Sequence, residues 1–258
     1  MGLSASKKEQ VQNVIVESIR TKLERYNPET KYMPFHHHLL GKDRMALFSF
    51  IQSLNTTFGT SIYEPVAIAL ADGRFKHASS QVKPYKFISK DVQFQIQEIM
   101  DDLTAGAVQV NKLQETEDLR QVCQTGEFKS VKLTKVDIWL ETFDGTLYLI
   151  DMKTVKPNKG AFQKFKRTLL EWTGAELARN PHAQINTLIG IPYNPYYPKR
   201  YERWAMDGML DRNHEVKVAE ELWDFVGGKG TYNDLLDCFE QAGIELRSEL
   251  DKYFQRFA

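Results

Sequence analysis

Val136-Asp137-Ile138-Trp139-Leu140-Glu141-Thr142-Phe143-Asp144-Gly145-Thr146-Leu147-Tyr148-Leu149-Ile150-Asp151-Met152-Lys153 is the stretch that decides the fold. β-branched and aromatic residues fill two arms around Asp144-Gly145, which is a strong short-range signal for a β-hairpin. Both arms carry charge at their open end, Asp137 on one and Asp151 with Lys153 on the other. Such groups are rarely buried at a strand end unless they are paired or hold a cation. Asp151 and Lys153 stand two apart and share a strand face. A strict two-residue loop would pair Phe143 with Thr146 and Asp137 with Met152, turning Asp137 to the opposite face. The acids converge only if the pairing shifts by one residue. The reading therefore predicts an offset, with a type I turn and a glycine bulge at Gly145.

Two carboxylates and an ammonium at one end of a hairpin suit phosphodiester hydrolysis. The phosphate repels an attacking hydroxide, and a divalent cation offsets that repulsion and acidifies a water. Mg²⁺ takes oxygen ligands and keeps several waters, so few protein ligands suffice. Asp137, Asp151 and the carbonyl of Met152 are the candidate ligands, with Lys153 orienting or deprotonating the attacking water. Mn²⁺ can substitute for Mg²⁺. The plain alternative is a salt-bridged sheet edge in which the lysine discourages further strand pairing.

Around the hairpin, apolar periodicity predicts a helix from about Lys7 to Arg25, with Ser6 and Glu9 at capping-box spacing and Asn27-Pro28 ending it. Tyr32 to Lys42 reads as a loop, Asp43 to Leu54 as helix, and Asn55 to Gly59 as a turn. Ser61 to Leu70 reads as a helix with Pro65 in its first turn. Ser89 to Val110 reads as helix, Glu127 to Thr134 as a short strand, Ala161 to Arg179 as helix and Gln184 to Ile191 as a buried strand. From Ala205 on, the chain reads as mostly helical, broken at Gly227-Gly228-Lys229-Gly230, with Thr231 as a cap. The expected class is α/β: a three-layer core with a central mixed β-sheet flanked by helices, plus N- and C-terminal helical additions. A single domain over 1–258 is expected, with a core at 56–192, a helical part at 1–55 and a C-terminal loop and helices at 193–258.

Formal net charge is zero, but Ala205 to Ala258 holds twelve acidic and six basic residues, so the preceding part carries the matching positive excess. Lys129, Lys132, Lys135, Lys153, Lys156, Lys159, Lys164, Lys166 and Arg167 gather around the hairpin, which suits a polyanionic partner. No run of about 18 apolar residues is present, so no membrane-spanning helix is expected. The polar stretch Met1 to Gln10 does not read as a secretory signal. Cys123 and Cys238 read as reduced thiols, and the expected location is the cytoplasm of a prokaryote. His36-His37-His38 lacks the spacing of a zinc site. Gly227-Gly228-Lys229-Gly230 lacks the preceding strand and spacing of a phosphate-binding loop, so no nucleotide cofactor is expected.

Val136-Asp137, thirteen residues, then Asp151-Met152-Lys153 resembles the PD-(D/E)XK nuclease superfamily, as do the helix before the hairpin and the helix and strand after it. Val136 stands where the motif's proline would be. The resemblance implies a further acid on the preceding helix. Glu64, in Gly59-Thr60-Ser61-Ile62-Tyr63-Glu64, is the first candidate and Glu98 the second. The exonuclease branch shows Gln-x-x-x-Tyr on the following helix; here Gln163 is followed at that spacing by Arg167. The chain is most similar to type II restriction endonucleases of the superfamily, including over Arg44 to Leu70 and Trp223-Asp224-Phe225-Val226-Gly227-Gly228. Its pattern is similar to that of enzymes that read short interrupted palindromes such as GGNCC.

That resemblance implies a restriction-endonuclease-like core that cuts double-stranded DNA at a specific sequence, dependent on Mg²⁺, leaving 5′-phosphate and 3′-hydroxyl ends; the alternatives are a repair, junction or transposition endonuclease of the same fold, or a non-catalytic DNA-binding protein. A palindromic site implies a homodimer, because protein symmetry mirrors DNA symmetry. The apolar helices Val11 to Tyr26 or the C-terminal set are candidates for the contact. Lys156, Lys159, Lys164, Asn194, Lys199, Arg200 and Arg203 are the residue types that contact phosphates and base edges.

Overall fold

The computed structural model describes residues 2–27, 33–153, 158–202 and 206–256. The chain divides into two units. Met1–Leu70 with Gly227–Ala258 forms the first, and Ala71–Val226 the second.

The second unit is built on a five-stranded sheet. Its strands are β1 (His77–Val82), β4 (Val136–Glu141), β5 (Leu147–Met152), β6 (Ile185–Ile191) and β7 (Val216–Val218), in the spatial order β1-β4-β5-β6-β7. The pairs β1-β4 and β4-β5 are antiparallel, whereas β5-β6 and β6-β7 are parallel, so the sheet is mixed as expected. A separate two-stranded sheet joins β2 (Phe87–Ser89) to β3 (Phe128–Ser130). β3 is the strand expected between Glu127 and Thr134, but it pairs with β2 and not with the hairpin.

Register and alternation put Trp139, Leu149, Ile185 and Ile189 on one sheet face. There they share a core with Val92, Ile96, Leu169 and Trp172 of α5 (Lys90–Ala105) and α7 (Lys159–Arg179). Trp172 anchors this layer by donating its indole N–H to the carbonyl of Thr134 at 2.9 Å. On the opposite face lies α8 (Glu220–Gly227), where Phe225 packs on Tyr148 with ring centroids 4.8 Å apart. Gly190 makes room there: a Cβ would sit 2.8 Å from Met152 Sδ and 3.2 Å from Leu222 Cδ1. The result is helix, sheet, helix, the three-layer α/β class read from the sequence.

α5 starts at Ser89, whose hydroxyl accepts from Val92 N at 3.2 Å, and stops at left-handed Gly106, short of the expected Val110. The polar stretch that follows is helix α6 (Lys112–Val122), capped by Asn111. Its buried positions include Lys112 and Glu115, so its core face is charged and hydrophobic periodicity does not reveal it.

That charged face meets a buried network. Lys166 of α7, expected on the basic surface, is fully buried; its ammonium bonds Glu115 and both oxygens of Glu215, the latter at 2.9 and 2.8 Å. Lys112 Nζ lies 3.5 Å from Glu215 and donates to Thr187 Oγ1 at 2.7 Å. Burial, with Lys166 nearby, holds the Lys112 ammonium below the ordinary lysine pKa.

The first unit is helical. α1 (Ala5–Arg25) begins at Ser4, not Ser6, because the Ser4 hydroxyl accepts from Lys7 N at 3.2 Å. α1 packs along α9 (Thr231–Gln255), with Arg20 donating to Glu249 at 2.9 Å and Glu245 at 3.0 Å. Val11, Ile15 and Val16 are buried, as are Leu235, Cys238, Ala242 and Leu246. These are the apolar stripes considered for a dimer contact, and they are already covered in the single chain. Gly230 occupies the N-cap of α9, so Thr231 is inside the helix and buried rather than capping it.

The expected histidine loop is helical: α2 (Pro34–Leu40) carries His36, His37 and His38, with Pro34 at its first turn and Gly41 at its end. Proline lacks an N–H that this position does not need, so it starts a helix here. The expected turn at Asn55–Gly59 is also helix. α3 (Lys42–Phe58) passes through a wide π turn, Gly59–Tyr63, into α4 (Glu64–Ala71). Glu64 N donates to Gly59 O, five residues back, and the widening accommodates Pro65 and its missing donor without ending the helix. Pro28, expected to end α1, lies outside the described residues. Among the described residues both cysteines are free and buried, and no helix is long and apolar enough to cross a membrane.

Candidate active site

The hairpin turn sets the site. Gly145 N donates to Thr142 O at 3.0 Å and Thr142 N to Thr146 O at 2.9 Å, with Gly145 at φ +87°. Three residues, Phe143-Asp144-Gly145, therefore form the loop. This is the type I turn with a left-handed bulge residue that the shifted pairing requires. Ile138 faces Ile150 and Glu141 faces Leu147, so Asp137 comes opposite Asp151 on the face that α7 covers.

Asp137 Oδ2 accepts from Met152 N at 2.8 Å, and Oδ1 accepts from Gln81 Nε2 of β1 at 3.1 Å. Asp151 is 2% exposed, and the ammonium of Lys153 is bonded to its Oδ1. Burial pushes the Asp151 carboxyl up to about 7 against the pull of Lys153, and the adjoining Asp137 carboxyl adds to the rise. Lys153 N donates to Gly190 O at 2.9 Å, which fixes the residue beyond the end of β5. Its side chain is 25% exposed, and Nζ stands 5.1 Å from the ring centre of Phe165 on α7. Asp137, Asp151 and Lys153 thus meet at one end of the sheet.

Two carboxyls crowded at a strand end, one carrying a raised pKa, form an oxygen donor pair that a hard cation would relieve. Among the described residues, no group of three or more His, Cys, Asp and Glu side chains is placed to hold a metal ion together. Glu64 opens α4 in the first unit and is buried. Glu98 is exposed on α5 and lines a cleft of about 410 Å³ with Asp101, Asp102 and Asp118.

β5 and β6 are parallel, so the segment after Ile191 leaves from the same end of the sheet as Asp151 and Lys153. Lys199, Arg200 and Tyr197 are exposed there, while Tyr201 is buried with its ring 5.9 Å from that of Tyr196. Asn194 closes this loop: its Nδ2 donates to Lys199 O at 2.7 Å and its Oδ1 accepts from Tyr196 N at 3.0 Å. Lys164 is exposed on α7. Lys156, Arg203 and the side chain of Lys159 lie outside the described residues. Gln81 was not anticipated. His77-Ala78-Ser79-Ser80-Gln81-Val82 is too polar to signal a strand, and only its partner β4 reveals it.

The layered sheet, with a hairpin ending in paired acids, defines a restriction-endonuclease-like fold. A profile of the family described as "Type II restriction endonuclease, HinfI" matches residues 3–243, and the chain belongs to that family. Type II restriction enzyme MjaII of Methanocaldococcus jannaschii is 28% identical over 259 residues, covering 88% of this chain and 68% of that enzyme. Type II restriction enzymes HgiCII and HgiEI of Herpetosiphon aurantiacus are 23% and 24% identical, covering 85% and 84% of this chain and 80% and 79% of their own lengths. The chain is accordingly an endonuclease of a restriction system that acts on specific DNA sequences.

Proposed function

We propose that the chain hydrolyses double-stranded DNA at a short palindromic site using Mg²⁺, with Mn²⁺ able to substitute, through Asp137, Asp151 and Lys153. The observation that carries this reading is Asp137 opposite Asp151, with the Lys153 ammonium on Asp151. When bound, a divalent cation would offset phosphate charge and supply an acidified water. Asp137, Asp151 and the Met152 carbonyl would be its protein ligands. Asp137 is oriented by Met152 N–H and by Gln81. Lys153 holds positive charge where the scissile phosphate docks, and places the attacking water by its N–H groups. Water adds to phosphorus in line, the bond to the 3′ oxygen breaks, and that oxygen takes a proton, leaving 5′-phosphate and 3′-hydroxyl ends. Glu64 is carried as a further acid by the resemblance alone.

Lys164, Lys199 and Arg200 supply phosphate contacts at the same unit, joined by Lys156, Lys159 and Arg203 on the sequence argument; Asn194 serves by shaping the loop. A palindrome calls for a two-fold homodimer. The reading places the enzyme in a prokaryotic cytoplasm, where incoming DNA is met. Plasmid digestion with Mg²⁺ tests it: the unmodified protein gives discrete bands, whereas Asp151→Ala and Lys153→Ala each lose cleavage and keep DNA binding. Cutting retained by either variant overturns the site.

A further inference from the structure

We propose that Gln81 is a positioning residue for the cation-binding carboxylate Asp137; this rests on the reading of Asp137 and Asp151 as ligands. The pairs Ser80 with Ile138 and Val82 with Val136 bracket it, so Gln81 stands beside Asp137 in the neighbouring strand. Its backbone is left-handed, at φ +56°, inside a strand. That conformation is unfavourable for an L residue other than Gly, Asn or Asp, and persists where the surroundings hold it. Here the side chain delivers Nε2 to Asp137 Oδ1 at 3.1 Å, while Met152 N takes Oδ2 at 2.8 Å.

Two donors from the two flanking strands therefore grip the two oxygens of one carboxylate and fix its plane toward Asp151. The chemistry of the donor matters. A lysine or arginine at this position would pair with Asp137 and compete with a cation. An amide donates a hydrogen bond without a charge, so Asp137 is oriented and its negative charge stays available. Met152 N–H does the same from the other side. Lys153, the ammonium present, bonds the other acid.

The test uses Gln81→Met, which keeps length and removes the donor, and Gln81→Gly, which removes the donor and also the backbone strain. Mn²⁺ alone is titrated into each protein, and free Mn²⁺ is followed by its paramagnetic resonance. Thermal unfolding is measured in parallel, with Asp151→Asn as the control. Both Gln81 variants are expected to bind Mn²⁺ on the order of tenfold more weakly, with Gln81→Gly unfolding no earlier than the unmodified protein. Plasmid cleavage should then need correspondingly more Mg²⁺. Unchanged Mn²⁺ affinity in the Gln81 variants, with binding lost in Asp151→Asn, overturns the role of Gln81 alone. A weakening that follows the unfolding temperature assigns Gln81 a structural part and overturns it as well. Mn²⁺ binding that is absent from the unmodified protein or indifferent to Asp151→Asn overturns the carboxylate-pair reading, and the role of Gln81 with it.

Discussion

Asp137 and Asp151 face one another across β4 and β5 because the turn that joins those strands holds three residues and not two. The side-chain period of a strand is two, so a single residue of slip would carry Asp137 to the α8 face and leave Asp151 alone on the α7 face. The site is thus set by the backbone of Gly145, at φ +87°, as much as by the acids.

Gly145 separates conformation from contact. A Cβ there would meet nothing within 4 Å, so Gly145→Ala pays only for a left-handed backbone, about 1 kcal/mol. Urea unfolding should show that loss with cleavage retained. Deleting Gly145 forces a two-residue turn and should abolish cleavage with circular dichroism unchanged. A deletion variant that still cuts would show that the register does not set the site.

Lys164 and Lys166 stand two apart on α7 and have opposite fates. Lys164 is exposed, whereas Lys166 is buried between Glu115 and Glu215. Lys166→Met leaves those carboxylates short of their shared cation and should cost about 3–5 kcal/mol. Lys164→Ala should change stability by less than about 0.5 kcal/mol and weaken DNA binding instead. Chemical denaturation and DNA titration of the two variants check the contrast, and equal stability would refute the buried network.

These two lysines also mark where the sequence stops being legible. The hairpin, its offset, β6 and α7 were readable because apolar alternation and turn chemistry are local signals. Asp137, Asp151 and Lys153 followed from them. Lys166 looked like any surface lysine, since its partners Glu115 and Glu215 are about fifty residues away on either side. α6 escaped because it buries Lys112 and Glu115, and β1 because an edge strand of Ser and Gln owes its form to β4. The π turn at Gly59–Tyr63 defeated a boundary drawn from glycine and proline alone.

Glu176 gives a prediction with a defined sign in pH. It is buried on α7, accepts from Tyr85 N at 2.8 Å and lies 3.6 Å from Arg179. Burial raises its carboxyl above the ordinary value of 4.5 against the pull of Tyr85 N–H and Arg179. A folded-state pKa above the unfolded one gives stability that is complete below the unfolded value and lost as pH rises through the folded one. Glu176→Gln mimics the protonated form and keeps an acceptor for Tyr85. Its Tm relative to the unmodified protein should therefore increase as pH rises from about 4.5 toward neutrality. A difference that is flat in pH, or that falls, would contradict the assignment.

Lys199 and Arg200 leave β6 at the end of the sheet where Asp151 and Lys153 lie, on a loop closed by Asn194 and anchored by buried Tyr201. Both side chains are exposed, so their removal should leave folding intact. If each neutralises a DNA phosphate, replacing it by alanine releases one fewer condensed counterion on binding. The slope of log affinity against log salt should then fall by about one per substitution, nearly equally for cognate and non-cognate DNA. Asn194→Ala should act differently. It frees Lys199 O and Tyr196 N from the bonds that shape the loop, and so should weaken binding without a matching change in slope. Fluorescence anisotropy at several salt concentrations, with Ca²⁺ in place of Mg²⁺, measures all three. A slope unchanged by Lys199→Ala and Arg200→Ala would remove this loop from the DNA interface.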